Sequence, residues 1–362
     1  MRKLIPTPIS SPFDILPDTL LYSDLHLHER KEFDKVDPIT GLNSRLMEGL
    51  NILDQIIDIL NNHPEIKFVY NLGDIFESKD KIPNHLLIEF QNRIEKINEI
   101  GVSHTILLGN HDFQLPKYPT IKLFDIHLIA LTQTFERKDG VKVGFIPFQR
   151  NFDDFLTELK GINSQNPDIV FFHQEIPGAT YETGRTIPGI FPASFCNKGT
   201  IYISGHIHKM QKLGGIQYIG APYQIRFSDE NSVRNIWLLN SKTRKLAPIK
   251  LHYPEFKSLD IQSFLEWEEE GMAGNYIRVV GDVSTSQWDP KIKKEIKEKL
   301  EKEVAKGVSF QVNVIRQHQS QIPPEMVEDD DSIINLYVQN NVEGSGLNIE
   351  ELNRIGLELF KQ

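Results

Sequence analysis

Six short runs of β-branched and aromatic residues, at 20–23, 67–72, 103–108, 141–146, 168–172 and 200–204, recur through the N-terminal part of the chain and read as strands. Between them the apolar period changes. Leu46, Leu50, Leu53, Ile56, Ile57 and Leu60 share one face of a helix over 44–62, and Leu87, Phe90, Ile94 and Ile97 one face over 84–100. Alternation of strand and helix predicts a layered α/β domain whose strand-end loops are available for function. With 362 residues the chain is too long for one small domain, and the main domain is expected over 1–250.

Beyond residue 250 the texture differs. Residues 276–283 and 308–315 read as strands and 290–306 as a charged helix with the stripe Ile292, Ile296, Leu300 and Val304, stopped by Gly307. This predicts a small α+β module over 251–318. Residues 319–331 read as a linker ending in acids suited to a helix N-terminus, followed by helical patterns over 331–341 and 348–361. The apolar groups of that C-terminal pair, Ile333, Ile334, Leu336 and Val338 with Leu352, Ile355, Leu359 and Phe360 among them, exceed what a free tail carries, so it must dock on its own domain or on another protein.

No apolar run approaches the ~20 residues of a membrane span, and Pro6, Pro8, Pro12 and Pro17 break the N-terminal segment, so a cytoplasmic location is expected. Cys196 is the only cysteine, which leaves no internal disulfide and no Cys-based metal site. A net charge of −10 argues at first against a nucleic-acid partner. The distribution softens that objection, because residues 1–250 hold 28 Lys and Arg against 29 Asp and Glu, whereas 251–362 hold 12 against 21.

Five motifs stand at or just after the C-terminal ends of five expected strands: Asp24-Leu25-His26, Gly73-Asp74, Gly109-Asn110-His111-Asp112, His173, and Gly205-His206-Ile207-His208. They supply carboxylate, amide oxygen and imidazole, the donors that zinc, manganese and iron accept where cysteine is absent. Alternation explains the Asp-x-His and His-x-His spacings, since residues i and i+2 of an extended segment point the same way. One such motif alone is weak. Five in order, each after an apolar strand, predict a metal centre built from Asp24, His26, Asp74, Asn110, His173, His206 and His208.

In these motifs the chain resembles the calcineurin-like metallophosphoesterases. The resemblance implies a two-sheet β-sandwich flanked by helices and two divalent ions, one held by Asp24, His26 and His208, the other by Asn110, His173 and His206, with Asp74 bridging. Manganese is the expected ion, and zinc or iron suit the same donors. Such a pair polarises a phosphoryl group and lowers the pKa of bound water for in-line attack. His111 matches the family's non-ligand His that stabilises developing charge or protonates the leaving oxygen, and Asp112 is expected to orient it.

Gly73-Asp74-Ile75-Phe76-Glu77 with Pro83, and the segment Gly220-Ala221-Pro222-Tyr223-Gln224-Ile225-Arg226-Phe227, are similar to the SbcD-type DNA repair nucleases and their phage recombination relatives. That resemblance implies a DNA exonuclease or endonuclease with a capping domain over 251–318, a C-terminal helix pair offered to an SbcC-type ATPase, and a second copy of the chain as a further partner. The chain departs from the family at His28, where Gly is usual, and at Glu77, where many relatives carry His. The long loop 174–198, directly after His173, could place Arg185 on a DNA phosphate. His104 and His127 read as structural. Two other readings stand beside the nuclease: a phosphodiesterase or phosphatase of small molecules or phosphoproteins, and a DNA-end-binding subunit with a vestigial site.

Overall fold

Strand β1 (Thr19–Tyr22) sends Leu20 and Tyr22 into one apolar cluster and Leu21 into another, and β2 (Phe68–Asn71) divides Val69 and Tyr70 in the same way. Successive residues of an extended chain face opposite sides, so strands that are apolar throughout must be covered twice. The computed structural model describes residues 11–115, 118–119, 126–262, 272–284, 288, 290–302, 305–315, 334, 338 and 348–360.

The further strands are β3 (Ser103–Leu107), the short ribbon β4 (Phe113–Leu115) and β5 (Tyr118–Pro119), then β6 (His127–Ile129), β7 (Gln133–Glu136), β8 (Lys142–Ile146), β9 (Ile169–His173), β10 (Ile201–Gly205), β11 (Gln211–Leu213), β12 (Ile216–Tyr218), β13 (Ile236–Asn240) and β14 (Lys245–Ile249). They build two six-stranded sheets, ordered β14-β13-β1-β2-β3-β6 and β11-β12-β10-β9-β8-β7. Leu21, Tyr70 and Leu107 of the first meet Phe145, Phe171 and Ile203 of the second in a shared core.

Helices close both outer faces. Helix α1 (Ser44–Asn62) and α2 (Asn84–Glu99) pack Leu46, Leu50, Leu53, Phe90 and Ile94 against the first sheet. Asn43 starts α1 by accepting from the Arg45 and Leu46 amides at 2.9 and 3.1 Å. On the second sheet α3 (Phe152–Asn163) covers Val170, Phe172 and Tyr202 with Phe155, Leu159 and Ile162. The layered β-sandwich flanked by helices is therefore the observed fold. The parallel strands β1, β2 and β3, and likewise β8, β9 and β10, end on the same side, which brings the five motif loops together.

After β14 come β15 (Phe256–Asp260), β16 (Tyr276–Ser284), α4 (Pro290–Lys302) and β17 (Gly307–Ile315), with the sheet order β15-β16-β17 and Ile296 and Leu300 of the helix buried. The chain divides into two compact units, Met1–Gly281 with Lys294–Gln311, and Asp282–Lys293 with Val312–Gln362. In the second unit α5 (Ile349–Phe360) is capped by Asn348, whose side chain accepts from the Glu350 and Glu351 amides. The expected linker 319–331 and Val304 lie outside the described residues, as does the 331–341 helix apart from Ile334 and Val338. No helix among the described residues is long and apolar enough to cross a membrane.

Candidate metal centre

Past the strand ends the β1 and β2 loops stay zipped: the Asp24 amide donates to the Gly73 carbonyl, His26 to Asp74 and Leu27 to Ile75, at 2.9, 3.1 and 2.8 Å. Asp24, His26 and Asp74 on this path, and His206 directly after β10, take positive φ, at 56°, 45°, 55° and 79°. Each such non-glycine residue costs of order 1 kcal/mol or more and persists only where its surroundings over-determine it. Four of them in one set of loops mark a functional site. Gly73 has φ +107, and a Cβ there would stand 2.5 Å from His173 Nδ1, so only glycine fits the turn.

The expected ligands converge as two clusters. In the first, His26 Nε2 and His208 Nε2 are 3.0 Å apart, each 3.9 Å from Asp24 Oδ1. In the second, Asn110 Oδ1 lies 3.1 Å from His173 Nε2 and 2.8 Å from His206 Nδ1, and the two rings approach to 3.2 Å. Asp74 Oδ2 stands between the clusters, 3.3 Å from His173 Nε2 and 3.6 Å from His26 Nε2.

Donors about 2.1 Å from a common ion lie about 3.0–3.4 Å from one another in octahedral or tetrahedral arrangement. The imidazole pairs, at 3.0 and 3.2 Å, and Asp74 with His173, at 3.3 Å, have that spacing, while Asp24 Oδ1 stands wider at 3.9 Å. Proton bookkeeping calls for a positive charge at the same place. His173 Nδ1 is 2.6 Å from the Leu72 carbonyl, which can only accept, so the proton belongs on Nδ1 and a lone pair on Nε2 faces the carboxylate of Asp74. Two lone pairs aimed at each other across 3.3 Å require a cation or a proton between them. Although burial opposes a charged ring, Asp74 and Asp24 push His173 up to about 9. Burial, with the neighbouring His173 and His26, pushes His206 down to about 3 and lowers His208 well below the usual imidazole range, which leaves both rings in the neutral form a metal needs.

His111 stands beside this set, its amide donating to Asp74 Oδ1 at 2.8 Å and its Nδ1 2.6 Å from the Glu77 carbonyl. Asp112 is the group expected to orient that ring. Its fully buried carboxylate instead accepts from the amides of Asp74, Gly109 and Ile75, at 2.7, 2.8 and 3.0 Å, and so ties the second motif loop to the third. Burial and the nearby Asp74 raise its pKa, while the three amides favour its charged form.

A cleft of about 270 Å³ opens over these groups, lined also by Arg30, Glu77, Tyr181, Glu182, Ile225 and Arg226. The loop after His173 thus reaches the cleft through Tyr181 and Glu182. Arg185 is exposed and is not part of the lining. Arg30 and Arg226 are the cleft's guanidinium groups, and sequence reasoning did not single out either; Arg226 lies inside the segment 220–227, and Arg30 follows His26 by four residues. Phe148 stacks on His206 with centroids 5.7 Å apart. Behind the site the buried Arg234 bonds the His208 carbonyl and Glu182. His104 is buried against the Tyr22 hydroxyl at 3.1 Å, and His127 packs on Phe135, both outside the cleft.

A family model described as calcineurin-like phosphoesterase matches residues 18–210. Exonuclease subunit 1 of Enterobacteria phage T4 is 25% identical over 216 residues, 53% of this chain and 60% of that protein's length. Among solved structures, a dimetal phosphatase from Danio rerio aligns over 62% of this chain and 93% of its own, at TM-score 0.37 and 10% identity. The Pseudomonas putida nuclease MPE aligns over 64% and 88%, at TM-score 0.32 and 12% identity.

Proposed function

Because the chain belongs to the calcineurin-like phosphoesterase family, we propose that it is a metal-dependent DNA phosphodiesterase, the nuclease subunit of a repair or recombination complex. The observation that carries the chemistry is the convergence of donors around Asp74, with Asp24, His26 and His208 on one side and His173 and His206 on the other, while Glu77 and His111 gather on the far side of His26. Asp24, His26 and His208 would hold one divalent ion, and Asn110, His173 and His206 the other, with Asp74 shared. Manganese is our assignment for both. When bound, such a pair polarises the phosphoryl oxygens and makes hydroxide available at neutral pH.

The chain's own groups supply the remainder. His111, its Nδ1 proton held by the Glu77 carbonyl, lines the cleft, and in its doubly protonated form Nε2 can donate a proton to the leaving oxygen. Arg30 and Arg226 offer guanidinium groups to phosphate oxygens. Tyr181 and Ile225 give flat and apolar surface against a base or sugar.

The choice of DNA rests on the phage exonuclease subunit to which the chain is similar and on the 220–227 segment. That relative is a subunit, which also favours a complex, and we assign residues 251–318 to a cap and the C-terminal helices to an SbcC-type ATPase in the cytoplasm, with a second copy of the chain completing the assembly. A phosphodiesterase or phosphatase of small molecules or phosphoproteins is the runner-up, favoured by the cleft's modest size. Incubating the purified chain with manganese and end-labelled duplex, hairpin and single-stranded DNA, beside a generic phosphodiester, separates them. DNA cleavage abolished by a chelator is expected. Turnover of cyclic nucleotides or phosphopeptides with intact DNA would overturn the assignment.

A further inference from the structure

Glu77 is a cleft carboxylate to which the two-metal arrangement gives no part. Its Oε2 lies 2.8 Å from His26 Nδ1 and 3.6 Å from Arg30 Nη2. Arg30 in turn donates to the His26 carbonyl at 3.3 Å. The main-chain carbonyl of the same residue sits 2.6 Å from His111 Nδ1. One residue therefore touches a ring assigned to a metal and the ring assigned to the leaving group.

Both contacts act on the tautomer. A carboxylate or carbonyl oxygen only accepts, so each ring in contact with one keeps a proton on Nδ1 and leaves Nε2 free to act, as a lone pair where the ring is neutral. For His26 that lone pair faces His208 Nε2 at 3.0 Å and Asp74 Oδ2 at 3.6 Å, inside the donor cluster. His26 Nδ1 is buried and has no aligned hydrogen bond. The Glu77 carboxylate is the acceptor at contact distance from it, and its terminal torsion turns at little cost.

We propose that Glu77 is a positioning residue that keeps two rings in register, His26 toward the metal through its side chain and His111 toward the substrate through its main chain. The proposal rests on the two-metal reading of the cleft. Its two halves are separable, since a peptide carbonyl survives substitution and a carboxylate does not. Outer partners of a metal-bound histidine commonly change metal affinity by about 10- to 100-fold when removed.

The test titrates the full-length chain with manganese, counting free ion by electron paramagnetic resonance, with kcat and KM on a generic phosphodiester measured beside it. Thermal melting checks that each variant is folded. Glu77→Ala is expected to weaken one of two sites by about 10- to 100-fold, because His26 loses its outer partner. Glu77→Gln should restore most of the affinity, since its amide oxygen accepts the same Nδ1 proton. Glu77→Ala binding both ions as the wild type does would overturn the proposal, as would Glu77→Gln proving as impaired as the alanine variant. A wild-type chain that fails to bind two ions would overturn the metal centre itself, an outcome distinct from either.

Discussion

Replacing Asp112 tests whether this carboxylate orients His111 or clamps the motif loops. In the structure its two oxygens accept three main-chain amides, Oδ2 from Asp74 and Gly109 and Oδ1 from Ile75, with the side chain wholly out of solvent. Alanine would leave three buried donors without acceptors, at roughly 1–3 kcal/mol each. The sum, roughly 3–9 kcal/mol, rivals the 5–15 kcal/mol that typically holds a domain together. Asparagine is the sharper probe. Its single oxygen can replace Oδ2, but its amide group must then face the Ile75 N–H, losing one charge-assisted bond of about 1.5–3 kcal/mol. Urea unfolding of Asp112→Asn, read by fluorescence and by circular dichroism to confirm one transition, should show that loss, and Asp112→Ala a larger one. A variant as stable as the wild type, yet depressed in turnover to the level of a His111 variant, would refute the clamp and return Asp112 to the imidazole.

His111→Ala should keep both ions by metal analysis and lose about 10²-fold in turnover, the usual scale for one contact to developing charge; loss of metal from this variant would make it a ligand. Asp74→Asn, by contrast, should bind at least one ion less, because Asp74 Oδ2 faces both clusters; unchanged stoichiometry would remove it from the bridge. His104 gives a pH signature. Burial pushes it down to about 4 from an ordinary 6.5, so the unfolded chain takes up the proton first. The stability belonging to the neutral ring is complete above pH 6.5 and is lost between there and pH 4, at ~1.4 kcal/mol per unit. His104→Gln should flatten the dependence of unfolding free energy on pH in that window by this amount, and an unchanged slope would show that the ring is not held neutral.

The parts of the fold legible in the sequence were those where one pattern governs a whole element. Helix α1 carries an unbroken stripe from Leu46 to Leu60 behind the Asn43 cap, and Ser44–Asn62 is the span that the spacing predicts. The central strands, apolar throughout because they are buried on both faces, were equally visible. Edge strands were not. β7 is exposed or half-exposed along its length, and β14 carries Pro248 and exposed Lys245, so neither shows the alternation or the continuous run that marks a strand. In α3 only Phe155, Leu159 and Ile162 are buried, too short a stripe to stand out.

The site divided along a similar line. The converging carboxylate, amide and imidazole groups were readable because they stand at strand ends as a few residue types in short motifs, whereas Arg30 and Arg226 enter the cleft from loops. Asp112 follows His111 directly, and neighbours in sequence need not point the same way: the turn from Gly109, whose amide Asp112 binds, sends the carboxylate inward and leaves the imidazole at the cleft. Charge raises the last question, how a chain of net −10 could receive a polyanion. At physiological salt, charges farther than ~8 Å are largely screened, so the sign that matters is set by the groups lining the cleft. There Asp74, Glu77 and Glu182 oppose Arg30 and Arg226, with Asp24 buried behind them. Protein groups alone leave the cleft acidic, and two divalent cations would make it positive. On the proposed function, then, the ions that activate the nucleophile are also what makes the cleft attractive to phosphate, and the excess acid elsewhere in the chain has little bearing on it.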